Sequence, residues 1–194
     1  MQRELKQTDS MPAAKTHRFS VEDYYRMAET GILKPGARVE LIEGEIVDMM
    51  PIGPFHSGSV YELARLFNAM SKDRWVVGTQ GPLHLDEHNM PAPDIMLLRP
   101  PGSHYKTTHP SPEDVFLIIE IADSSLAHDQ NTKLPLYARA GIPETWILNV
   151  PQKQLEIYRQ PHFLGYESKT ILQSGQAAPA AFPDAVINVE DLVN

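Results

Sequence analysis

The chain of 194 residues contains no cysteine. That excludes a disulfide scaffold, a cysteine-ligated zinc or iron–sulfur centre and a thiol nucleophile. Long apolar runs are missing as well. The longest, Val115-Phe116-Leu117-Ile118-Ile119, is 5 residues, whereas about 20 are needed to span a bilayer. Met1 to Ser10 is polar and has no apolar signal-peptide centre. The expectation is therefore a cytoplasmic protein without membrane contact. Basic residues are scarce, with 17 Lys and Arg against 25 Asp and Glu and a formal charge of −8. Such a balance argues against coating nucleic acid by charge alone. There is no glycine-rich phosphate loop of the Walker or dinucleotide type. Ser124-Ser125 lacks the Gly-x-Ser-x-Gly setting of a serine nucleophile.

The acidic excess is concentrated. Residues 36–150 carry 15 acidic and 8 basic side chains, whereas residues 1–35 carry 5 and 6 and residues 151–194 carry 5 and 3. Every carboxylate proposed below as a ligand lies in that middle stretch. Part of its charge would be offset by a bound divalent cation.

The polar residues 1–17 read as a flexible lead-in, with one α/β domain over residues 18–194. Ser20-Val21-Glu22-Asp23 has the form of a capping box opening a helix to about Glu29. Val39–Ile42 and Glu45–Met49 flank Glu43-Gly44, a hairpin-turn pair. From His56 to about Lys72, Val60, Leu63, Ala64, Phe67 and Met70 recur at helical spacing. Strands are expected at Trp75–Thr79, Pro82–Leu85 and Asp94–Leu98, followed by an irregular, proline-rich loop from Arg99 to Asp114. Val115–Ile121 predicts a strand covered on both faces. Asp129–Ala140 predicts a helix whose first turns are disturbed by Pro135. Strands at Trp146–Val150 and Leu155–Tyr158 and a last helical turn at Val189–Val193 complete a mixed sheet flanked by helices.

Two carboxylates stand out. Asp94 follows Pro93 at a strand entrance, and Glu120 interrupts the most apolar strand, on the face expected to hold Phe116 and Ile118. A carboxylate there is costly to bury unless it is paired or bound to a cation. Asp129 and Lys133 are four apart, on one face of a continuous helix. Taken singly each has an ordinary explanation: Asp94 a turn residue, Glu120 a structurally paired strand end, Asp129–Lys133 a surface pair worth about 0.3–0.5 kcal/mol. Taken together, an acidic pair with a nearby lysine suits Mg²⁺ chemistry on a phosphate ester, with Mn²⁺ a possible substitute. Glu40 is either a third acidic group or a hairpin residue. His56, at a helix start, either contacts substrate or caps the helix. Pro82 and Pro91 flank His84 and His88, and no helical pattern supports a zinc pair. Arg99, His104, Lys106 and His109 are the candidate phosphate contacts in the long loop.

Pro93-Asp94, Ile119-Glu120-Ile121, Asp129, Lys133, Tyr137, Ala140-Gly141 and Pro143-Glu144 before Trp146-Ile147-Leu148 form an ordered set. With Val39–Ile46 and His56 upstream, the set resembles the Uma-type restriction endonucleases, small members of the PD-(D/E)XK nuclease superfamily, over about residues 19–193. The resemblance implies a restriction-endonuclease-like α/β (α+β) fold and Mg²⁺-dependent cleavage of DNA. It assigns metal binding to Asp94 and Glu120, with Glu40 and Lys133 completing the catalytic set. Asp129 is a candidate substrate contact, and Tyr137 is either that or a packing residue behind the site. The sequence departs from the simplest superfamily pattern, because Ala122 stands where a lysine would follow the glutamate. The resemblance gives that role to Lys133 instead. With so few cations, duplex DNA as substrate implies help from a homodimer or from a partner. The competing readings are an inactive nuclease-fold module that binds DNA or a partner protein, and hydrolysis of RNA or a small nucleotide.

Overall fold

A computed structural model describes residues 16–193. The expected flexible lead-in therefore lies, apart from Thr16 and His17, outside the described residues. Helix α1 spans Val21–Glu29. Its capping box is formed, with the Ser20 hydroxyl oxygen accepting from the Asp23 N–H at 3.1 Å and the Asp23 carboxylate accepting from the Ser20 N–H at 3.0 Å. Strands β1 (Val39–Ile42) and β2 (Glu45–Asp48) form the expected hairpin. Glu43 and Gly44 turn it with φ of 50° and 77°, the left-handed pair that a two-residue turn requires. Gly44 is also a close approach, since a Cβ there would fall 2.5 Å from the Cβ of Arg18.

Helix α2 (Pro54–Ser71) starts with proline at its first turn, where no N–H is needed, and buries Val60, Leu63 and Phe67. The central sheet holds β3 (Val76–Thr79), β4 (Ile95–Leu98), β5 (Val115–Ala122), β6 (Glu144–Asn149), β7 (Gln154–His162) and β8 (Gly165–Leu172), adjacent in that order. Only the β5–β6 pair is parallel. Its crossover carries α3 (Leu126–His128), a π-turn (Asp129–Lys133) and α4 (Leu134–Arg139). The chain closes with β9 (Gln176–Ala177) paired to β10 (Ile187–Asn188), then α5 (Glu190–Val193).

One sheet face packs Leu117, Ile119 and Ile121 of β5 with Trp146 and Leu148 against α2 and the C-terminal segment. The other sets Met96, Leu98 and Ile118 against Tyr137 of α4 and Ile142. Strand β5 is thus covered on both sides, as its apolar run predicts. Three expectations need correction. Phe116 does not share the face of Ile118 and Glu120: the β4–β5 register shifts between Leu97 and Leu98, and Phe116 turns to Phe182 on the α2 side. Pro82–Leu85 forms no strand, although Leu83 is buried, because its backbone bonds go to Pro91 and Asn89 in the local loop and to Pro110 in the loop after β4. The helix over Asp129–Ala140 opens as a π-turn, since Pro135 has no N–H to give and its ring clashes with the carbonyl one turn back.

On β7, Glu156 is 1% exposed. Burial disfavours its charge, but Lys169, Tyr158, Asn149 and Gln154 all donate to it and pull its pKa from the ordinary 4.5 down to about 2. A lowered carboxyl pKa stabilises the fold above the unfolded value, and that stabilisation is lost as pH falls toward the folded one. Denaturant titrations of the parent and Glu156→Gln should therefore differ by on the order of 3 kcal/mol near neutral pH. The difference should shrink as pH drops from about 4.5 toward about 2.

Candidate active site

Strand pairing creates the site. Ile95 of β4 lies opposite Ile119 of β5, and continuing the antiparallel register by one residue sets Asp94 opposite Glu120. Asp94 is tied down on both oxygens. Its Oδ2 accepts the Ile121 N–H at 2.9 Å, and its Oδ1 accepts His56 Nε2 at 2.8 Å and the Gln80 amide at 3.2 Å. His56 arrives from the first turn of α2, where the bond to Asp94 raises its pKa despite burial. Glu120 accepts the Tyr137 hydroxyl at 2.5 Å and the Lys133 ammonium at 3.3 Å on Oε1, and the Asp94 N–H at 3.4 Å on Oε2.

Lys133 is the hub. Its Nζ lies 2.9 Å from Glu40 Oε1, an oxygen that also accepts the Ala92 N–H at 2.7 Å. Residues from the β1–β2 hairpin, β5 and the crossover thus converge on one ammonium. Burial opposes its charge, but Glu120, Glu40 and Asp129 outweigh that effect and raise the Lys133 pKa. The π-turn keeps Asp129 and Lys133 both buried, at 4% and 5% exposure. Asp129 accepts the Ser125 hydroxyl at 2.6 Å. Ala122, two residues past Glu120, is fully buried among Ile147, Tyr158 and the crossover residues Leu126 and Leu134. The lysine nearest Glu120 is Lys133, which reaches it from the crossover at 3.3 Å.

Asp94, Glu120 and Lys133 border a cleft of about 390 Å³. Its other walls are the β1–β2 hairpin, the Met49–Gly53 link, the start of α2 and the 123–129 segment.

With that geometry in view, the comparisons carry weight. A family model described as "Uma2: Putative restriction endonuclease" matches residues 21–190. The chain belongs to this family. Among solved structures, a putative nuclease belonging to DUF820 from Anabaena variabilis ATCC 29413 is similar, with a TM-score of 0.69 and 17% identity. The match covers 90% of this chain and 97% of that one, and at such identity it shows the fold alone. No curated protein matches.

In this Uma2-family chain the charges of the site do not balance. Glu40, Asp94, Glu120 and Asp129 are 3%, 7%, 3% and 4% exposed, and Lys133 is the one buried lysine or arginine among the described residues. Burial first, with Asp129 and Asp94 adding to it and Lys133 opposing, pushes Glu120 up to about 8. Burial likewise raises Asp129. Hard oxygen donors with excess negative charge fit a divalent cation. Among the described residues no group of three or more His, Asp or Glu side chains is arranged to hold a metal.

Not every sequence candidate reaches the cleft. Arg99 and Lys106 follow the far end of β4, and five residues of extended chain separate Arg99 from Asp94, roughly 16 Å. Arg99 instead donates to the Glu113 carbonyl at 2.7 Å and lies over the Phe116 ring. His84 and His88 lie outside the cleft, and His88 contacts the Phe19 carbonyl. Gln80, Ser125 and the Ile121 amide were not foreseen, because each acts through a neighbour set only by folding. No helix among the described residues is long and apolar enough to cross a membrane.

A buried charge stripped of its partner is expensive. Lys133→Met should lower the unfolding free energy by about 3–5 kcal/mol. Arg26→Ala, which breaks the exposed pair with Glu22, should cost under about 1 kcal/mol. Urea titration of the two variants checks the contrast.

Proposed function

We propose that the chain is a divalent-metal-dependent endonuclease hydrolysing phosphodiester bonds in DNA. The observation that carries the reading is the pairing of Asp94 with Glu120 at a cleft wall, with the Lys133 ammonium 3.3 Å from Glu120. Membership of a family described as restriction endonucleases supports it.

Asp94 and Glu120 are the residues that would hold the ion, and Mg²⁺ or Mn²⁺ so held supplies Lewis-acid polarisation of a phosphoryl oxygen and activation of water. The chain's own groups do the rest. Lys133 keeps its proton because the surrounding carboxylates favour the charged form. It presents a fixed positive charge in a water-poor site, where such a charge offsets negative charge developing on phosphate at little reorganisation cost. Glu40 positions that ammonium from the hairpin side. Tyr137 orients Glu120 through its hydroxyl, and the Ile121 amide and His56 orient Asp94. Ser125 restrains Asp129 beside the same cleft.

Cleavage of plasmid and of oligonucleotide DNA tests this. The parent should cut at least one of them with Mg²⁺ or Mn²⁺ and stop on addition of EDTA. Asp94→Asn and Glu120→Gln, which keep side-chain volume, should each cut at least about 100-fold more slowly. Cleavage that persists in EDTA or in Glu120→Gln would overturn the site assignment. A parent inert on every nucleic acid, yet capturing a protein partner, would favour the non-catalytic module.

A further inference from the structure

Size, depth and lining of the cleft restrict what can enter it. A volume of about 390 Å³ lies at the small end of clefts that hold one small molecule, about 300–1,000 Å³. It has room for one nucleotide and none for a double helix. The reacting carboxylates are deep, since Asp94 is 7% exposed and Glu120 3%. Enzymes whose chemistry sits in so confined a site draw the target nucleotide out of the base stack or act on strands already unpaired.

The wall of the cleft points the same way. Met49, Met50, Pro51 and Ile52 line it between β2 and α2. Met50 is 56% exposed at the rim. An apolar wall beside a phosphate-facing acidic wall matches an unpaired nucleotide, whose base has an exposed flat face and whose backbone is charged. It does not match intact duplex, which presents sugar and phosphate outward and keeps its bases stacked. Charge agrees. Of the two lysine or arginine side chains lining the cleft, Lys133 is committed to Glu40 and Glu120. Arg38 at the rim is exposed and has no ion pair or side-chain hydrogen bond among the described residues. A protein that grips duplex through its phosphates commonly makes about 6–10 such contacts. One free arginine beside an apolar wall suits a short single strand held by stacking plus a phosphate contact.

We infer that the cleft takes an unpaired nucleotide, so that the substrate is single-stranded or locally unpaired DNA rather than intact duplex. This rests on the nuclease reading above and narrows it. Met50 supplies apolar contact to the base, and Arg38 contacts a phosphate flanking the one that reacts.

The test presents one fluorescein-labelled strand in three forms: alone, as a perfect duplex, and as a duplex with an internal run of unpaired thymines. Binding is followed by anisotropy over a salt series, and cleavage by gel with Mg²⁺. The single strand and the looped duplex should bind at least about tenfold more tightly than the perfect duplex, and cuts in the looped form should map to the unpaired thymines. Arg38→Gln should reduce the slope of log affinity against log salt by about 0.7 for the single strand. Met50→Ser should weaken single-strand binding severalfold without changing that slope. Both positions are exposed, so neither substitution threatens folding. Equal or tighter binding to perfect duplex overturns the inference, as does failure of the parent to bind any form. So does unchanged single-strand binding in both variants. Binding as expected without cleavage of any form leaves the inference standing and overturns the nuclease reading instead.

Discussion

The buried ammonium of Lys133 is the constraint around which the site is organised. A lone charge at 5% exposure would be untenable, so the fold has to bring carboxylates to it. It draws Glu40 from the β1–β2 hairpin and Glu120 from the central strand β5. The hairpin belongs to a separate two-stranded sheet and makes no ladder with the six-stranded one. Besides the ion pair, its position is held by the Met90–Leu41 backbone bond, the Glu43 N–H to Asn89, and Glu40 accepting from Ala92. These bonds leave the Glu40 carboxylate little freedom to turn away from the lysine.

Excess carboxylate is the second consequence. Once Lys133 satisfies Glu40 and Glu120, Asp94 and Asp129 still sit near Glu120, and burial raises the pKa of both Glu120 and Asp129. Stability alone would not select such an arrangement, since buried like charges oppose folding. Contrast Glu144 and Glu156, each 1% exposed and each surrounded by donors. Glu144 accepts from Trp146, Arg159 and the Ala180 N–H. Glu156 accepts from Lys169, Asn149, Gln154 and Tyr158. Those two are structural carboxylates with their demands met. Glu120 and Asp129 differ, because burial outweighs their partners and raises their pKa, a perturbation that clusters at functional sites.

Much of this was legible in the residues. Capping, turn and amphipathic signals act within a few positions, so α1, the Glu43-Gly44 hairpin, α2 and β5 fall where local rules place them. Glu120 announced itself because a carboxylate ending an apolar strand contradicts its surroundings. Strand β8 escaped notice because it carries the polar, half-exposed pattern of an edge, with little apolar alternation to detect. The Phe116 face was misjudged because alternation presumes an unbroken register, and a shift near the start of β5 reverses it. The π-turn was foreshadowed by Pro135, but not its effect of keeping Asp129 and Lys133 buried together.

The absence of cysteine already excluded thiol and disulfide chemistry. The types of the candidate site groups and the faces of most strands were likewise written in the sequence, because side-chain chemistry and backbone periodicity are local properties. Which groups meet is not local. Strand order and direction set Asp94 against Glu120, brought Lys133 to Glu120 from the crossover, and put Arg99 and Lys106 at the opposite end of β4. A pairing between residues 40, 120 and 133 depends on how separate segments stack, and only the packed core decides that.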